Sequence, residues 1–225
     1  MASYIGTYGE KSLHRDLKWQ IEPTGAFHEV PVGKYIADIK DESGITEIQT
    51  QSLYKLRPKL SALLPDHKVT LVYPLACEKL ILWTDRESGE ILKTRRSPKR
   101  CSFYDAFREL YYIKPLLTNE NLILRLVLVD VTERRFEGDK RRRRYHKIDT
   151  AIQSIRDELI IARREDYRRL IPPALCDTFT SRDYAEAAGI NVKHAGVALN
   201  ILRYVGATER VGKSGKFYLY KRNSG

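Results

Sequence analysis

The sequence has 225 residues, which is enough for one domain of ordinary size and a small second one. Lysine and arginine number 40 against 29 aspartates and glutamates, so an excess of 11 positive charges favours a polyanionic partner, either nucleic acid or an anionic membrane surface. Apolar runs such as residues 122–131 are too short to span a bilayer, and no signal segment follows Met1. We therefore expect a soluble, cytoplasmic protein that binds nucleic acid and no membrane.

Short runs of β-forming residues alternate with helical patterns in residues 1–136, and this alternation predicts a mixed α/β domain. A turn cluster that begins at Asp41 separates two predicted strands, which should therefore pair as a hairpin. In chain order, the patterns predict a helix at 9–19, strands at 29–39 and 45–50, a helix at 53–64, a strand at 69–75, a hairpin over 80–93, a helix at 103–113 and a strand at 122–131.

Three polar residues converge at the first predicted hairpin. Asp38 ends the first strand, and Glu47 and Gln49 lie two apart on the second strand, where a period of two puts both on the same face. The hairpin should bring Asp38 beside them. Two carboxylates and a neutral amide form a hard oxygen site, which suits Mg²⁺ or Mn²⁺ better than zinc. Such a metal could polarise a phosphate and produce hydroxide from its bound water.

Glu10, Asp38 and the Glu47-x-Gln49 pair occur in an order that resembles the PD-(D/E)XK nuclease superfamily, which has the restriction-endonuclease-like fold. The family pattern is an acidic residue on an early helix, an aspartate that begins or ends a strand, a turn, and Glu-x-Lys on the next strand before a helix. The resemblance in element order covers residues from about 5 to about 130. It implies that Asp38, Glu47 and Glu10 bind the metal, and that Gln49 completes the catalytic set by orienting water.

One position departs from this family pattern, because Gln49 stands where the family usually has a lysine. Glutamine supplies no positive charge, although some members are similar in carrying it there. Lys40 or Lys55 could supply the missing cation instead. An alternative is that Asp38, Glu47 and Gln49 only occupy the solvent face of an amphipathic hairpin, or belong to a catalytically inactive nuclease fold.

From Asp139 the pattern indicates a charged helix, and residues 137–171 are predicted to form a basic helical connector. Its apolar residues recur three or four apart at Ile148, Ile152, Ile155, Leu159 and Ala162. Residues 1–136 hold 21 basic and 18 acidic side chains, whereas residues 137–225 hold 19 and 11. Most of the affinity for a polyanion should therefore belong to the C-terminal part.

Two short helices and a basic hairpin are predicted in residues 172–225. Thr180 or Ser181 can cap the first helix, and Gly189 can end it in a left-handed conformation. The second helix spans 191–205, and the turn between the two helices has the length found in a helix-turn-helix. Two alternating strands around a glycine-rich basic turn follow the second helix.

This module resembles the winged-helix family, in which the second helix lies in the major groove of DNA and the hairpin wing follows the backbone. By position, the resemblance implies that four helix residues and three wing residues contact nucleic acid: Lys193, His194, Asn200 and Arg203, and Arg210, Lys213 and Lys216. An alternative is that these charges are only solvated, on a winged helix that binds protein.

These features predict a metal-dependent DNA endonuclease that hydrolyses phosphodiester bonds. Residues 1–136 would form the restriction-endonuclease-like α/β domain, 137–171 the connector, and 172–225 the winged-helix domain that positions the DNA. Two alternatives are a non-enzymatic DNA-binding regulator or adaptor with an inactive nuclease-like domain, and an RNA-processing factor. A homodimer, or a partner protein in a larger nucleoprotein complex, is compatible with each.

Overall fold

The computed structural model describes residues 12–136 and 145–223. Its helices are α1 (Ser12–Ile21), α2 (Arg57–Leu63), α3 (Phe107–Leu110), α4 (Ser181–Ala188) and α5 (Val192–Tyr204). Its strands are β1 (His28–Val32), β2 (Tyr35–Asp41), β3 (Gly44–Ile48), β4 (Val69–Thr84), β5 (Ile91–Arg96), β6 (Leu122–Phe136), β7 (His146–Ile161), β8 (Thr178–Phe179), β9 (Thr208–Ser214) and β10 (Phe217–Arg222). Short 3-10 turns lie at Gly25–Phe27, Leu53–Lys55, Phe103–Ala106, Tyr111–Leu116 and Arg164–Leu170.

A seven-stranded mixed sheet forms the centre of the molecule, in the order β1-β2-β3-β4-β6-β7, with β5 beside the far half of β4. The first three strands form an antiparallel meander, and β3, β4 and β6 run parallel to one another. The connection from β3 to β4 carries α2, and the connection from β5 to β6 carries α3. This architecture confirms the predicted mixed α/β class.

Helices cover both faces of the sheet. Adjacent residues of a strand point to opposite faces, and Leu71 belongs to the larger core cluster whereas Val72 belongs to the smaller one. Helix α1 packs on the smaller cluster through Leu17. Residues of α2 and α3 pack in the larger cluster, and Leu199 of α5 joins it there. The C-terminal module therefore shares a hydrophobic core with the central sheet.

Two of the predicted strand boundaries were wrong. Residues 29–39 form two strands rather than one, because Gly33 adopts a φ of +58° between β1 and β2, a conformation that favours glycine. Conversely, the strand predicted at 69–75 and the first strand of the hairpin predicted over 80–93 form the single 16-residue strand β4. Pro74 of this strand lies after the residues that pair with β3 and before those that pair with β5, so its missing N–H costs no hydrogen bond to either strand.

The helix predicted at 137–171 was also wrong where the structure describes it. Residues His146–Ile161 form β7, antiparallel to β6 along its length, and only the short 3-10 turn Arg164–Leu170 follows. Isoleucine is β-branched and fits a pleated sheet well, so its spacing here is compatible with either element. Leu159 and Ile161, two residues apart, reach the core, whereas Ile155 is 39% exposed. Residues 137–144 lie outside the described residues.

The C-terminal module has the predicted pair of helices and the predicted hairpin. Thr180 caps α4 by accepting hydrogen bonds from N–H groups of its first turn, and Gly189 ends α4 with a φ of +65°. Asn191 caps α5 in the same way, by accepting from the N–H of His194. Strands β9 and β10 form the hairpin, and β8 pairs with β10 as a third strand. No helix among the described residues is long and apolar enough to cross a membrane.

Candidate active site

Asp38 on β2 and Glu47 on β3 are neighbours across an antiparallel pair of strands. The paired part of the two strands ends at Ile39 and Thr46, and just beyond it the side chain of Asp38 accepts a hydrogen bond from the N–H of Ile48. The charge of Asp38 raises the pKa of Glu47, so the two carboxylates lie close together. The structure therefore brings these two carboxylates together at the hairpin, as the sequence predicts.

Asp38 is held by groups on both sides of its strand. Its Oδ2 accepts a hydrogen bond of 2.7 Å from the N–H of Ile48 and lies 3.2 Å from Nε2 of His14 on α1. Burial alone would raise the pKa of Asp38, but the contacts with His14 and Ile48 and the positive charge of Lys59 hold it below its ordinary value. Asp38 is therefore ionised at neutral pH, and both of these contacts fall on one of its two oxygens.

Glu47 is almost completely buried, with 2% of its surface exposed. Its Oε2 accepts a hydrogen bond of 2.5 Å from Nζ of Lys59 on α2, and the same amine donates to the carbonyl of Ile36 at 2.6 Å. Its Oε1 is buried and has no partner at ordinary hydrogen-bond geometry among the described residues, although the nearby main-chain N–H of Asp38 acts on the carboxylate and lowers its pKa. Burial, together with the negative charge of Asp38, raises the pKa of Glu47 to about 7.

Gln49 lies where β3 leads into the turn before α2. Its main-chain N–H donates to the carbonyl of Val72 at 3.0 Å, and its side-chain Nε2 donates to the carbonyl of Ser52 at 2.9 Å. These bonds fix Gln49 two residues beyond Glu47, on the same strand edge. Glu10, the fourth predicted site residue, lies outside the described residues, so its proximity to Asp38 stays a prediction.

Lys59 is the cation of the site, which sequence reasoning missed. Lys40 and Lys55 were the two lysines expected to replace the family's usual one. Lys40 pairs with Ile45 in the hairpin, and Lys55 is exposed in the turn before α2. Lys59 lies four residues after Lys55, which is the spacing of neighbours on one face of a helix. This spacing was the signal in the sequence that Lys59 is also a candidate for the cation.

The carboxylates of this site fit a hard divalent cation. No cluster of three or more His, Cys, Asp or Glu side chains with metal-binding geometry occurs within residues 12–136 and 145–223. Magnesium, however, is commonly bound by one or two carboxylates and keeps water in its other positions. The buried Oε1 of Glu47, which lacks a partner at ordinary hydrogen-bond geometry among the described residues, lies beside the ionised Asp38. This pair supplies the donors that such an ion would need.

The predicted nucleic-acid contacts of the C-terminal module divide into exposed and partly covered residues. The exposed ones are Lys193 and Arg203 on α5 and Arg210, Lys213 and Lys216 on the hairpin. The guanidinium of Arg210 lies 3.8 Å from the ring centroid of Tyr218, and Lys213 lies 5.3 Å from the same ring. The hairpin therefore presents cations arranged around an aromatic ring.

His194 and Asn200 face the central domain more than the sequence suggests. Helix α5 packs against α3 and the turn after it. Asn200 Oδ1 accepts a hydrogen bond of 2.8 Å from Nζ of Lys114 in that turn. His194 is partly buried, and its burial and the positive charge of Arg108 lower its pKa. The part of α5 that is free to contact nucleic acid is therefore smaller than the sequence predicts.

Comparison with known proteins places this chain in a family. Residues 11–162, well over half of the chain, match the family described as "Domain of unknown function (DUF8091)". The chain belongs to this family. The matched residues contain Asp38, Glu47 and Lys59 and end at the last strand of the central sheet, so the C-terminal module lies beyond the family domain.

A relative of this DUF8091 protein extends the likeness beyond the matched domain. An "Uncharacterized protein" of Treponema pallidum (strain Nichols) is 32% identical over 222 residues, which cover 97% of this chain and 87% of that protein. The aligned region is long enough to include most of the C-terminal module. No solved structure matches the chain.

Proposed function

We propose that this DUF8091 protein is a metal-dependent DNA endonuclease that hydrolyses phosphodiester bonds. The observation that carries the proposal is the state of Glu47, which is buried, bound by Lys59 on one oxygen, and without a partner among the described residues on the other. A buried carboxylate oxygen without a hydrogen bond is costly, by about 1–3 kcal/mol. Such a group is expected where function requires it, as in the binding of a cation.

The order of elements around Glu47 supports a restriction-endonuclease-like core. Helix α1 precedes the β1–β2–β3 meander, α2 follows it, and β4 returns parallel to β3. This order matches the pattern of the PD-(D/E)XK superfamily, and it places one candidate acid on each of two adjacent strands. The lysine that this superfamily carries on the second strand would be replaced here by Lys59 from the following helix.

Asp38 and Glu47 would hold Mg²⁺ or Mn²⁺, and Glu10 would complete the set from the N-terminal segment. When bound, the ion would polarise the scissile phosphate and lower the pKa of a coordinated water. Lys59 keeps a positive charge beside Glu47, which favours the deprotonated form that a metal requires. Gln49 would orient the attacking water.

We propose that the C-terminal module is a winged helix that positions the DNA. Its helix pair and hairpin support this assignment, as do the exposed cations Lys193 and Arg203 on α5 and Arg210, Lys213 and Lys216 on the hairpin. A tethered binding module raises the effective concentration of DNA at a catalytic core that has little affinity of its own. His194 and Asn200 would contribute less, because both face the central domain.

The first test is cleavage of supercoiled and single-stranded DNA by the wild type and by an Asp38→Ala/Glu47→Ala variant, with Mg²⁺, with Mn²⁺ and with EDTA. We expect cleavage by the wild type only, and only with metal. Glu42→Ala is the matched control, because Glu42 is an exposed acid at the turn of the same hairpin. Cleavage by the double variant, or by the wild type in EDTA, would refute the proposed site.

The second candidate function is a non-enzymatic DNA-binding regulator. The observation that favours it is the ion pair between Lys59 and Glu47, which in an inactive fold would serve only to neutralise a buried acid. This candidate predicts that the wild type binds DNA and leaves it uncut with either metal. A preference for structured RNA over duplex DNA in the same binding assay would instead favour an RNA-processing factor. Sedimentation of the protein with and without DNA would show whether a homodimer forms.

A further inference from the structure

Four exposed tyrosines form one continuous surface. Tyr54 is 62% exposed, Tyr111 51%, Tyr112 45% and Tyr204 44%. They lie on the Leu53–Lys55 turn, on the Tyr111–Leu116 turn and at the end of α5. We call these four residues, with Arg57 and Lys114, the tyrosine surface. Large aromatic side chains exposed together in this way are typical of a binding site.

Contacts between the rings show that the surface is one feature. Tyr54 and Tyr112 meet edge to face, with ring centroids 6.0 Å apart. Nζ of Lys114 lies 4.8 Å from the ring centroid of Tyr204 and 6.0 Å from that of Tyr111, so this cation joins α5 to the turn. One open concavity is lined by Tyr54, Arg57, Tyr111, Tyr112, Lys114 and Pro115.

The two charged residues of the tyrosine surface, Arg57 and Lys114, are both basic, and the nearby carboxylate of Glu109 accepts a hydrogen bond from the N–H of Leu53. Residues 53–63 contain Lys55, Arg57 and Lys59, and residues 111–116 contain Lys114, and neither segment contains an acidic residue. Arg57 and Lys55 are exposed to solvent. Exposed rings with basic side chains between them match the chemistry of an unpaired nucleic-acid strand, whose bases stack and whose phosphates are negative.

The tyrosine surface adjoins residues of both proposed sites along the chain. Tyr54 follows Ser52 by two residues, and the carbonyl of Ser52 accepts the hydrogen bond from Gln49 in the candidate active site. At the other end, Tyr204 follows the exposed Arg203 of α5. The turn that carries Tyr54 is therefore linked to the candidate active site by a hydrogen bond, and Tyr204 belongs to the helix proposed to contact DNA.

We propose that the tyrosine surface binds unpaired nucleotides of DNA, with bases stacked on the tyrosines and phosphates on Arg57 and Lys114. The bases of a duplex are already stacked on one another, so the rings select a single-stranded segment. This inference rests on the proposed nuclease function and narrows its substrate to DNA that has a single-stranded part next to the duplex held by the C-terminal module.

The test is equilibrium binding of a fluorescent oligothymidylate and of a blunt duplex, measured by anisotropy in EDTA. Tyr54→Leu and Tyr112→Leu should each weaken oligothymidylate binding by roughly tenfold, because stacking of one base on an aromatic ring is lost. Duplex binding should change by less than about twofold, since the rings do not contact paired bases. Tyr54→Phe keeps the ring and should bind as the wild type does. Tyr145→Leu is the matched control, because Tyr145 is 46% exposed at the far end of the sheet beside Arg135.

The salt dependence of the same assay separates stacking from charge. Arg57→Gln should reduce the slope of log affinity against log salt by about 0.7, the value for one phosphate contact to a single strand, whereas Tyr54→Leu should leave the slope unchanged. Oligothymidylate affinity that is equal in the wild type and both leucine variants would overturn the proposal and favour a protein as the occupant. Because binding is measured without metal, this outcome is independent of whether the protein cleaves DNA.

Discussion

Two buried glutamates on the central sheet differ in how completely they are paired. Glu133 on β6 is 3% exposed and accepts hydrogen bonds from Lys79 of β4 at 2.9 Å and from Nε of Arg135 at 2.5 Å, with Lys147 of β7 at 3.6 Å. Both of its oxygens are therefore used. Burial alone would raise the pKa of Glu133, but these three cations hold it below its ordinary value.

Glu47 is as little exposed to solvent as Glu133, but it lies deeper in the protein and is only half paired. It has Lys59 on one oxygen, no hydrogen-bond partner on the other among the described residues, and a pKa raised to about 7. Glu133 shows that this sheet can neutralise a buried carboxylate where it joins three strands. The contrast teaches that the incomplete pairing of Glu47 is specific to its position and is not general for buried acids of this sheet. It is compatible with a further partner, such as the proposed metal ion.

The two glutamates should differ most in how they make the free energy of unfolding depend on pH. The folded-state pKa of Glu47 is raised from 4.5 to about 7, so its contribution to the free energy of unfolding is complete below the lower value and is lost as pH rises through the higher one. We expect wild-type stability to fall, relative to Glu47→Gln, by up to about 3 kcal/mol between about pH 5 and pH 8. Urea denaturation in EDTA measures this difference.

The sign is opposite for Glu133, which serves as the internal control. Its pKa is lowered, so its contribution is present above the unfolded-state pKa and is lost as pH falls through the folded-state value. Glu133→Gln should therefore leave the decline in stability at higher pH unchanged. A decline that persists in Glu47→Gln would show that another group is responsible and that Glu47 is not the proton-binding residue.

The two amide substitutions should also differ in their cost at neutral pH. Glu133→Gln removes the negative charge that Lys79, Arg135 and Lys147 share, and should lower the free energy of unfolding by about 2 kcal/mol. This is less than for a fully buried pair, because Lys79 and Lys147 are partly exposed. Glu47→Gln removes a buried charge that is only half compensated, so its effect should stay within about 1 kcal/mol. Urea denaturation without metal is the measurement. Equal costs would mean that Glu47 is as structural as Glu133.

Local sequence pattern was sufficient to predict the parts of the site that depend on neighbouring residues. The position of the turn between Asp38 and Glu47 sets the register of the hairpin, and the register predicts that the two acids lie close together. Thr180 and Gly189 likewise mark the ends of α4, since each meets a requirement of the helix terminus itself.

Features that depend on tertiary packing were missed. Helical periodicity predicts that Lys55 and Lys59 lie on the same side of a helix. It does not predict which of the two amines contacts Glu47 on β3, because that depends on how α2 packs on the sheet. The isoleucines of β7 fit either a helix or a strand, and pairing with β6 decides between them. Asn200 is on an exposed face of α5 when that helix is considered alone, and the docking of α5 on Lys114 covers it.

The smallest expected effect is that of Lys59 on the pKa of Glu47. Lys59→Gln removes the positive charge beside Glu47 and Asp38, so the pKa of Glu47 should rise by about one further unit, or about 1.4 kcal/mol. The pH at which the rate of DNA cleavage is half-maximal should rise by the same amount, because a protonated carboxyl group cannot bind metal. Lys55→Gln is the matched control, since Lys55 lies four residues earlier, in the Leu53–Lys55 turn, and is exposed.

The unfolding free energy gives the same shift without any need for cleavage, because the pH range over which stability declines should move upward in Lys59→Gln and not in Lys55→Gln. Lys59→Arg keeps the positive charge and should leave the midpoint at its wild-type value. An unchanged midpoint in Lys59→Gln would mean that burial and Asp38 alone set the proton affinity of Glu47. Lys59 would then form an ion pair with Glu47 without changing its pKa, and the raised pKa would come from the burial of Glu47 in the sheet and from Asp38.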